Sequence, residues 1–226
     1  YLKKEIINKN KCASTLNVTV CAIRLCYLIN FGTNLNRILL PTSKLKKKIP
    51  TIMSKEMFIK IFNDDKNLKH KCWLLLAFCS GLRVEEVASI RIENINSSEH
   101  KLKVLGKGNK ERYTILPDIT IKFLRLYYKS KKVTKKEGYL FEGTLDKECM
   151  NAKTITNYFS EIKSIYNLDN NISFHSLRHS FATYYLSNNG SLLTLQSMLG
   201  HKNINTTTIY LHTSQNFNEL EGIKYV

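Results

Sequence analysis

The sequence predicts a mainly α-helical protein with a small antiparallel β-sheet, an α+β architecture in which a short helical module precedes a larger domain. Two observations predict this fold. Most segments beyond residue 50 carry apolar residues at helical spacing between capping residues and glycines. Residues 101–105 and 112–116 alternate like strands around the turn Gly106-Lys107-Gly108-Asn109, which predicts a β-hairpin. With 226 residues, 43% of them hydrophobic, the chain is long enough to bury a core.

The N-terminal segment predicts an amphipathic helix over residues 13–31, with Ser14 or Thr15 as its N-cap and Gly32 as its stop. A polar, basic stretch bracketed by two prolines follows, and we interpret residues 44–50 as an interdomain linker. An ordinary exposed loop is the alternative. The predicted divisions are therefore a helical module at 1–43, the linker, a domain at 51–213 and a C-terminal tail at 214–226.

The larger domain is predicted to open on a helix capped by Ser54. A mostly buried helix over residues 70–80 ends at Gly81, and a short helix follows over residues 84–90. After the hairpin, Gly190 separates the last two of four further helices. These four are predicted at residues 118–130, 152–166, 175–189 and 191–199.

Composition indicates a polyanionic partner. The chain has 35 Lys and Arg against 18 Asp and Glu, a formal net charge of +17. Such a surplus favours nucleic acid, because each neutralised phosphate releases condensed counterions. The alternative is a composition inherited from an AT-rich genome, with the charge serving only solubility.

The cysteines favour a reduced, cytoplasmic compartment over a zinc site or a disulfide framework. None of them forms a Cys-x-x-Cys pair, and the sequence shows no signal peptide. The apolar run at residues 73–78 is far too short to span a membrane, so no membrane partner is expected. The six cysteines are Cys12, Cys21, Cys26, Cys72, Cys79 and Cys149.

His175 and Arg178 are the first candidate site residues. Their i, i+3 spacing on one helix places them on the same face. A guanidinium matches two oxygens of a phosphate, and a neighbouring imidazole supplies a third hydrogen bond. Taken alone, such a pair is more typical of surface or capping residues than of a phosphate site. His179 is assigned to packing or to hydrogen bonding behind the site, because one residue of helix rotates it about 100° away from Arg178.

Upstream candidates lie at a helix break and at the hairpin. Arg83 follows the break at Gly81, and Glu86 is placed to orient an arginine by an ion pair; a surface salt bridge is the alternative. Lys107 sits at a glycine-flanked turn, where its compact charge can deliver a proton; an ordinary hairpin tip is the alternative. Two neighbours on the hairpin, Lys110 and Arg112, are expected to contact backbone phosphates.

Downstream, His201 follows Gly200 directly and therefore projects from the start of a loop. Tyr210 lies nine residues later; as one of 12 tyrosines it is informative only through this spacing. Two arginines, two histidines, a lysine and a late tyrosine are what a protein needs to break a phosphodiester without metal. Nearby cations favour the phenolate of a tyrosine whose ordinary pKa is ~10, and arginines neutralise charge as Mg²⁺ otherwise does. Neither a cofactor nor a metal is expected.

These motifs, in this order, resemble the tyrosine recombinase (integrase) family, closest to the Xer-like branch. The resemblance covers about residues 51–213, and residues 12–40 resemble the end of that family's N-terminal core-binding domain, here short and partial. It is carried by Gly81-Leu82-Arg83-x-x-Glu86, Gly106-Lys107-Gly108-Asn109-Lys110-Glu111-Arg112, His175-x-Leu177-Arg178-His179-Ser180-Phe181-Ala182, Leu199-Gly200-His201 and Tyr210.

The resemblance implies a role for each residue. Arg83 and Arg178 bind the non-bridging oxygens of the scissile phosphate, and His175 and His201 hydrogen-bond the phosphate or move protons. Lys107 protonates the leaving 5′ oxygen. The nucleophile is Tyr210, which leaves a 3′-phosphotyrosine link and a free 5′-hydroxyl.

The implied activity is site-specific DNA recombination or integration on a double-stranded recombination site, without metal or ATP, by a tetramer in the cytoplasm. The tail is expected to dock into a neighbouring protomer, with packing on its own domain as the alternative. Two other functions stay open: DNA relaxation like that of a type IB topoisomerase, and a catalytically silent DNA-binding regulator of a recombinase.

Overall fold

The computed structural model describes residues 13–35, 50–106, 110–131, 136–143, 148–201 and 203–211. The chain forms two compact units, Tyr1–Lys48 and Ile49–Val226. Apart from Pro50, the predicted linker lies outside the described residues, as does the predicted tail. The assignment of the first unit to a partial core-binding module therefore stays a prediction.

The described part of the first unit is helix α1, Ala13–Phe31, followed by Gly32 at a positive φ of 61° as predicted. Two details of the prediction are wrong. Ser14 and Thr15 lie inside the helix and do not cap it, and apolar side chains are exposed on several of its sides while only Leu16 and Val20 are buried. By length and composition alone α1 could cross a membrane, a criterion that core helices and signal sequences also meet.

The second unit confirms the predicted mixture of helices and a small antiparallel sheet. Each predicted helix is present, although the one expected over residues 84–90 ends at Ala88. A two-residue first strand, not predicted, extends the hairpin to a sheet of order β1-β2-β3. The elements are α2 Lys55–Asp64, α3 Leu68–Ser80, α4 Val84–Ala88, β1 Ile95–Asn96, β2 Lys101–Gly106, β3 Lys110–Ile115, α5 Asp118–Ser130, α6 Ala152–Ile165, α7 Phe174–Ser187 and α8 Leu192–Leu199, with 3-10 turns at Ile92–Asn94, Ile204–Thr206 and Thr208–Tyr210.

Helix α3 is the centre of the core and packs against α5 and α7. Its end is fixed by Gly81, which has a φ of 68°. A Cβ there would lie 2.4 Å from Cδ1 of Phe181 on α7, so both the backbone conformation and the close approach require glycine. Cys72 and Cys79 are buried in α3, and burial raises the pKa of both thiols to about 12.

The hairpin turns one side of β3 toward the core. Its register pairs Lys101 with Ile115 and Gly106 with Lys110. Because side chains alternate along a strand, Arg112 and Thr114 point inward. Thr114 Oγ1 donates to the carbonyl of Ser80 at 2.7 Å, and β3 also packs against α8. The ends of α3 and α8, the inner face of β3 and helix α7 therefore meet in one place.

Candidate active site

Arg178 lies where these elements meet and is 1% exposed. Its Nη1 donates to the carbonyl of Gly81 at 2.7 Å, and its Nη2 donates to the carbonyl of Leu199 at 2.6 Å. The guanidinium thus joins the C-terminal ends of α3 and α8, whose last carbonyls lack helical partners. Burial and the nearby Arg83 lower the pKa of Arg178, and Glu86 opposes this change. An arginine stays positively charged at neutral pH despite such a shift.

Glu86 joins three arginines through one carboxylate. It accepts from the backbone N–H of Arg83 at 2.8 Å and from Arg83 Nη1 at 2.9 Å. Arg112 binds both carboxylate oxygens, at 2.7 and 2.8 Å, and Arg178 Nη1 lies 3.7 Å away. Burial would raise the pKa of Glu86, but Arg112 chiefly, then the other arginines, hold it down at about 2. The surface salt bridge considered as the alternative is therefore wrong, because the carboxylate is buried.

The position of Arg112 corrects one expectation from the sequence. Instead of reaching a backbone phosphate from an exposed strand, Arg112 is buried, bound to Glu86 and donating from Nε to the carbonyl of Met198 at 2.6 Å. The reason is the pleat of β3, which directs residue 112 to the core face. Gly200 makes room for it, since a Cβ there would lie 2.9 Å from Cδ of Arg112. Lys110 is exposed, and its phosphate contact stays a prediction.

His201 is held on both sides of its ring. Its Nε2 lies 3.3 Å from Nη2 of Arg178, and its Nδ1 lies 2.9 Å from Oγ1 of Thr207. Arginine can only donate, so Nε2 of His201 accepts this hydrogen bond. Nδ1 therefore carries the ring proton and donates a hydrogen bond to Oγ1 of Thr207. Burial first, then the charges of Arg178 and Arg83, lower the pKa of His201 to about 4. The imidazole is therefore neutral at neutral pH.

His175 lies one turn before His179 on α7, and their rings meet edge to face with centroids 4.7 Å apart. His175 presents an exposed surface at the site. The pKa of His175 is lowered, first by partial burial of its ring and then by the charges of Arg178 and Arg83. The face shared by His175 and Arg178 thus points to the same site as Arg83.

Tyr210 is 2% exposed and packs in a small apolar cluster with Phe181, Leu195 and Leu199. Its hydroxyl lies 2.7 Å from Nδ1 of His179. Burial raises the pKa of Tyr210, and the charges of Arg178 and Arg83 oppose that increase. The sequence assigns His179 to packing or to hydrogen bonding behind the site, whereas in the structure it contacts the hydroxyl of Tyr210 directly.

An open cavity of about 940 Å³ lies beside part of this site, where Glu86 and Arg112 line it. Its lining includes Arg83, Lys110 and His201, and both chain ends that flank residues 107–109, Gly106 and Lys110, open onto it. Lys107 itself lies outside the described residues. In the described ranges, no group of three or more His, Cys, Asp or Glu side chains is arranged to hold a metal ion.

Comparison with known proteins identifies the family of this chain. Residues 40–216 match the family model described as the phage integrase family. The chain belongs to the phage integrase family. Together with the recombinase relatives described next, this match confirms the resemblance to tyrosine recombinases of the Xer-like branch that the motifs predict.

Two relatives show how similar this chain is to known recombinases and how much of their length it matches. Tyrosine recombinase XerD of Staphylococcus haemolyticus is 32% identical over 186 residues, 79% of this chain and 63% of the relative. The chain thus spans less than two thirds of that recombinase. Tyrosine recombinase XerC of Natranaerobius thermophilus is 32% identical over 236 residues, 95% of this chain and 76% of the relative.

A solved structure shows the same fold for this phage integrase family member. The XerH site-specific recombinase bound to its difH substrate in a pre-cleavage complex superposes with a TM-score of 0.74 and 18% identity. The match covers 96% of this chain and 69% of the XerH chain. At this identity the likeness shows the fold alone.

Sequence reasoning missed two features of this integrase-family site. Thr207, the partner of His201, is one of three consecutive threonines, and nothing in that run distinguishes it. The carbonyls of Gly81 and Leu199 that hold Arg178 are backbone groups, which carry no sequence signal. The only hint was the glycine that ends each helix, since such ends leave carbonyls free.

Proposed function

We propose that the chain cuts and rejoins DNA strands at a specific site through a 3′-phosphotyrosine link to Tyr210, without metal or ATP. One observation carries this proposal. Arg83, Arg178, His201 and Tyr210 come from four separate segments, yet Arg178 lies 3.3 Å from His201, and the charges of both arginines lower the pKa of His201 and oppose the increase at Tyr210. A phosphate is the ligand that such a set of donors fits best, and the buried phenol is the nucleophile beside it.

The arginines divide the work on the phosphate. Arg83 has one Nη bound to Glu86, and its half-exposed side chain lines the cavity with its other donors available. Arg178 is buried and fixed by two carbonyls, so its guanidinium is already oriented before DNA arrives. Donors that need no reorganisation are what lowers the energy of a pentavalent, doubly charged transition state. This charge neutralisation takes the place of Mg²⁺ in hydrolytic nucleases.

The remaining roles follow the resemblance. His175 and His201 hydrogen-bond the phosphate, and Lys107 protonates the leaving 5′ oxygen. The bond energy kept in the phosphotyrosine lets a second strand's 5′-hydroxyl reseal the DNA without ATP. The proposed partners are a double-stranded recombination site and further copies of the chain, four in a synapse, in the cytoplasm.

Two rival functions have distinct outcomes. A type IB topoisomerase would relax any supercoiled plasmid as a monomer, whereas a recombinase exchanges strands only between paired sites. A silent regulator would bind DNA without forming a covalent adduct. The presence of both arginines, both histidines and the tyrosine in the described part of the chain favours an active enzyme over that regulator.

Covalent adduct formation is expected to be the same with and without excess EDTA, because arginines supply the positive charge. The measurement uses a library of nicked duplexes, whose short fragment diffuses away after cleavage and traps the adduct. Protein denatured in detergent and recovered with its attached DNA gives both the yield and, by sequencing, the preferred site. Inhibition by EDTA that added Mg²⁺ reverses would contradict metal-independent chemistry.

The hydroxyl of Thr207 is expected to control His201. A hydroxyl can accept from Nδ1 or donate to it, so it supports His201 both as an acceptor toward Arg178 and as a donor toward a phosphate. Thr207→Val keeps the shape but removes this hydrogen bond, worth about 1 kcal/mol, so single-turnover cleavage should slow by roughly fivefold.

Thr207→Ser is the matched control, because it loses the methyl group and keeps the hydroxyl. Cleavage by the Ser variant should stay within about twofold of the unsubstituted chain once folded fractions are matched by melting curves. Equal slowing in the Val and Ser variants would mean that packing at residue 207, and not its hydroxyl, matters.

A further inference from the structure

Tyr210 already has a hydrogen-bond partner that the family resemblance did not provide. Nδ1 of His179 lies 2.7 Å from the phenol oxygen, and the two ring centroids are 5.6 Å apart. The rings come from different elements, helix α7 and the 3-10 turn Thr208–Tyr210. The turn is itself closed by a hydrogen bond from the Tyr210 N–H to the carbonyl of Thr207 at 3.1 Å. Regular secondary structure therefore positions both partners of the contact, His179 on α7 and Tyr210 in the turn.

The direction of this hydrogen bond follows from charge. Burial, then the neighbouring His175 and Arg178, lower the pKa of His179 to about 4. Its imidazole is therefore neutral near pH 7. Burial keeps the phenol protonated, because it raises the pKa of Tyr210. The phenol thus donates its proton, and Nδ1 of His179 receives it with a lone pair, which leaves the ring proton on Nε2.

We propose that His179 is the base that accepts the proton of Tyr210 during strand cleavage. The proposal rests on the function proposed above, in which the resemblance leaves proton movement to His175 or His201; of the three histidines, His179 is the one whose ring nitrogen lies within hydrogen-bond distance of the phenol in the described structure. As the phenol oxygen bonds to phosphorus, its proton passes to Nδ1 of His179 and the bond from phosphorus to the 5′ oxygen breaks. The leaving oxygen takes its own proton from Lys107. On resealing, the 5′-hydroxyl attacks phosphorus and gives its proton back to the neutral Lys107 amine, while the phenol leaves and takes its proton from the His179 imidazolium.

The surroundings of His179 explain why this base would act only on DNA. His175 and Arg178 face it from its own helix, and His201 and Tyr210 face it from the segment after α8. None of these groups carries a negative charge that would stabilise an imidazolium, and Arg178 repels it. A bound phosphate brings negative charge into the same site and favours it. Tyr210 would then lose its proton only when a scissile phosphate is in place, so its phenol stays protonated in the absence of DNA.

A matched set of variants separates this role from packing. His179→Asn places an amide oxygen close to the position of Nδ1, so it keeps the acceptor but cannot take up a proton. His179→Gln places its amide oxygen near Nε2, facing away from the phenol. Lys107→Ala removes the proposed acid instead of the base. Melting curves and DNA binding are recorded for each variant.

The decisive substrate is a nicked duplex with sulfur in place of the bridging 5′ oxygen. A thiolate leaves without being protonated, so this substrate needs the base but not the acid. On it, His179→Asn and His179→Gln should remain slower than the unsubstituted chain by roughly 10²-fold, the usual contribution of a positioned base. Lys107→Ala should be slow on the oxygen substrate and recover on the sulfur one.

The pH profile of the unsubstituted chain is a second test that requires no variant. With His179 as the base, cleavage of the sulfur substrate should level off above the pKa that His179 has in the DNA complex, and fall as the pH drops through it. His179→Asn should instead speed up continuously with pH, because only the free phenolate reacts. A rate that rises without a plateau from about pH 5 to about pH 9 in the unsubstituted chain would overturn the proposal.

Each other outcome also decides the matter. If His179→Asn cleaves as fast as the unsubstituted chain with the same profile, His179 is a packing residue and the base lies elsewhere. If it cleaves faster, the contact restrains Tyr210. Recovery of His179→Asn on the sulfur substrate would assign His179 to the leaving group. Absence of any adduct with the unsubstituted chain would instead overturn the proposed function, and the His179 assignment with it.

Discussion

Tyr210→Phe should abolish covalent attachment to DNA while leaving DNA binding nearly intact. The substitution removes only the hydroxyl, and the ring that remains is 2% exposed in the same apolar cluster. The fold loses one hydrogen bond to His179, worth about 1 kcal/mol, so the melting temperature should change little. The measurement is the yield of protein–DNA adduct with a nicked suicide duplex on a denaturing gel, beside a binding titration on the same duplex.

The controls are other tyrosines near the site. Tyr184 is buried and donates to the carbonyl of Met53, and Tyr185 lies next to it on α7. Tyr184→Phe and Tyr185→Phe should both keep adduct formation. If Tyr210→Phe still forms the adduct, the nucleophile is another residue, and Tyr184, Tyr185 and Tyr225 become the candidates to test. Tyr225 lies outside the described residues.

The fold was predictable from sequence wherever a local signal and the tertiary contacts agree. Gly81 and Gly200 end their helices in the left-handed conformation, and Ser54 caps α2 through Met57 N–H. The strand β1 could not be predicted, because two residues carry no periodicity. The apolar pattern of α1 misled because apolar residues on several sides of a helix do not define a single buried face.

The sequence indicates which residues form the candidate site, but not where each side chain points or what it contacts. Arg112 was expected to face solvent because a basic residue near a hairpin tip usually does. Its actual partner, Glu86, is 26 residues away in sequence, and only the pairing register of β2 and β3 brings the two together. The partner of His179 was equally hidden, since Tyr210 is 31 residues further on and arrives through a 3-10 turn.

These contacts connect the hairpin to the arginines that we propose bind the phosphate. Arg112 on β3 binds the same carboxylate as Arg83 and also the carbonyl of Met198 near the end of α8. Strand β3, which follows Lys107 in the chain, is thus bound to the residues that precede His201. A change in the hairpin would be transmitted to Arg83 through Glu86, because one buried carboxylate cannot reorient for one arginine without moving from the others.

The second large effect is expected for Arg178→Lys, which keeps the charge but loses the planar fork. Lysine cannot reach the carbonyls of Gly81 and Leu199 and a phosphate at the same time. Cleavage should fall by roughly 10²–10³-fold, as for loss of a pre-positioned transition-state donor. The melting temperature should also fall, because hydrogen bonds from a charged donor contribute about 1.5–3 kcal/mol each.

Arg83→Lys separates these two effects. The Arg83 side chain is 35% exposed and donates a hydrogen bond to Glu86, which a lysine can still reach. Its cleavage rate should fall like that of Arg178→Lys, while its melting temperature stays close to that of the unsubstituted chain. Rates are compared well below both melting temperatures and scaled to the fraction that binds DNA. Near-normal cleavage by Arg178→Lys after this correction would refute the clamp, because charge alone would then suffice to hold the phosphate.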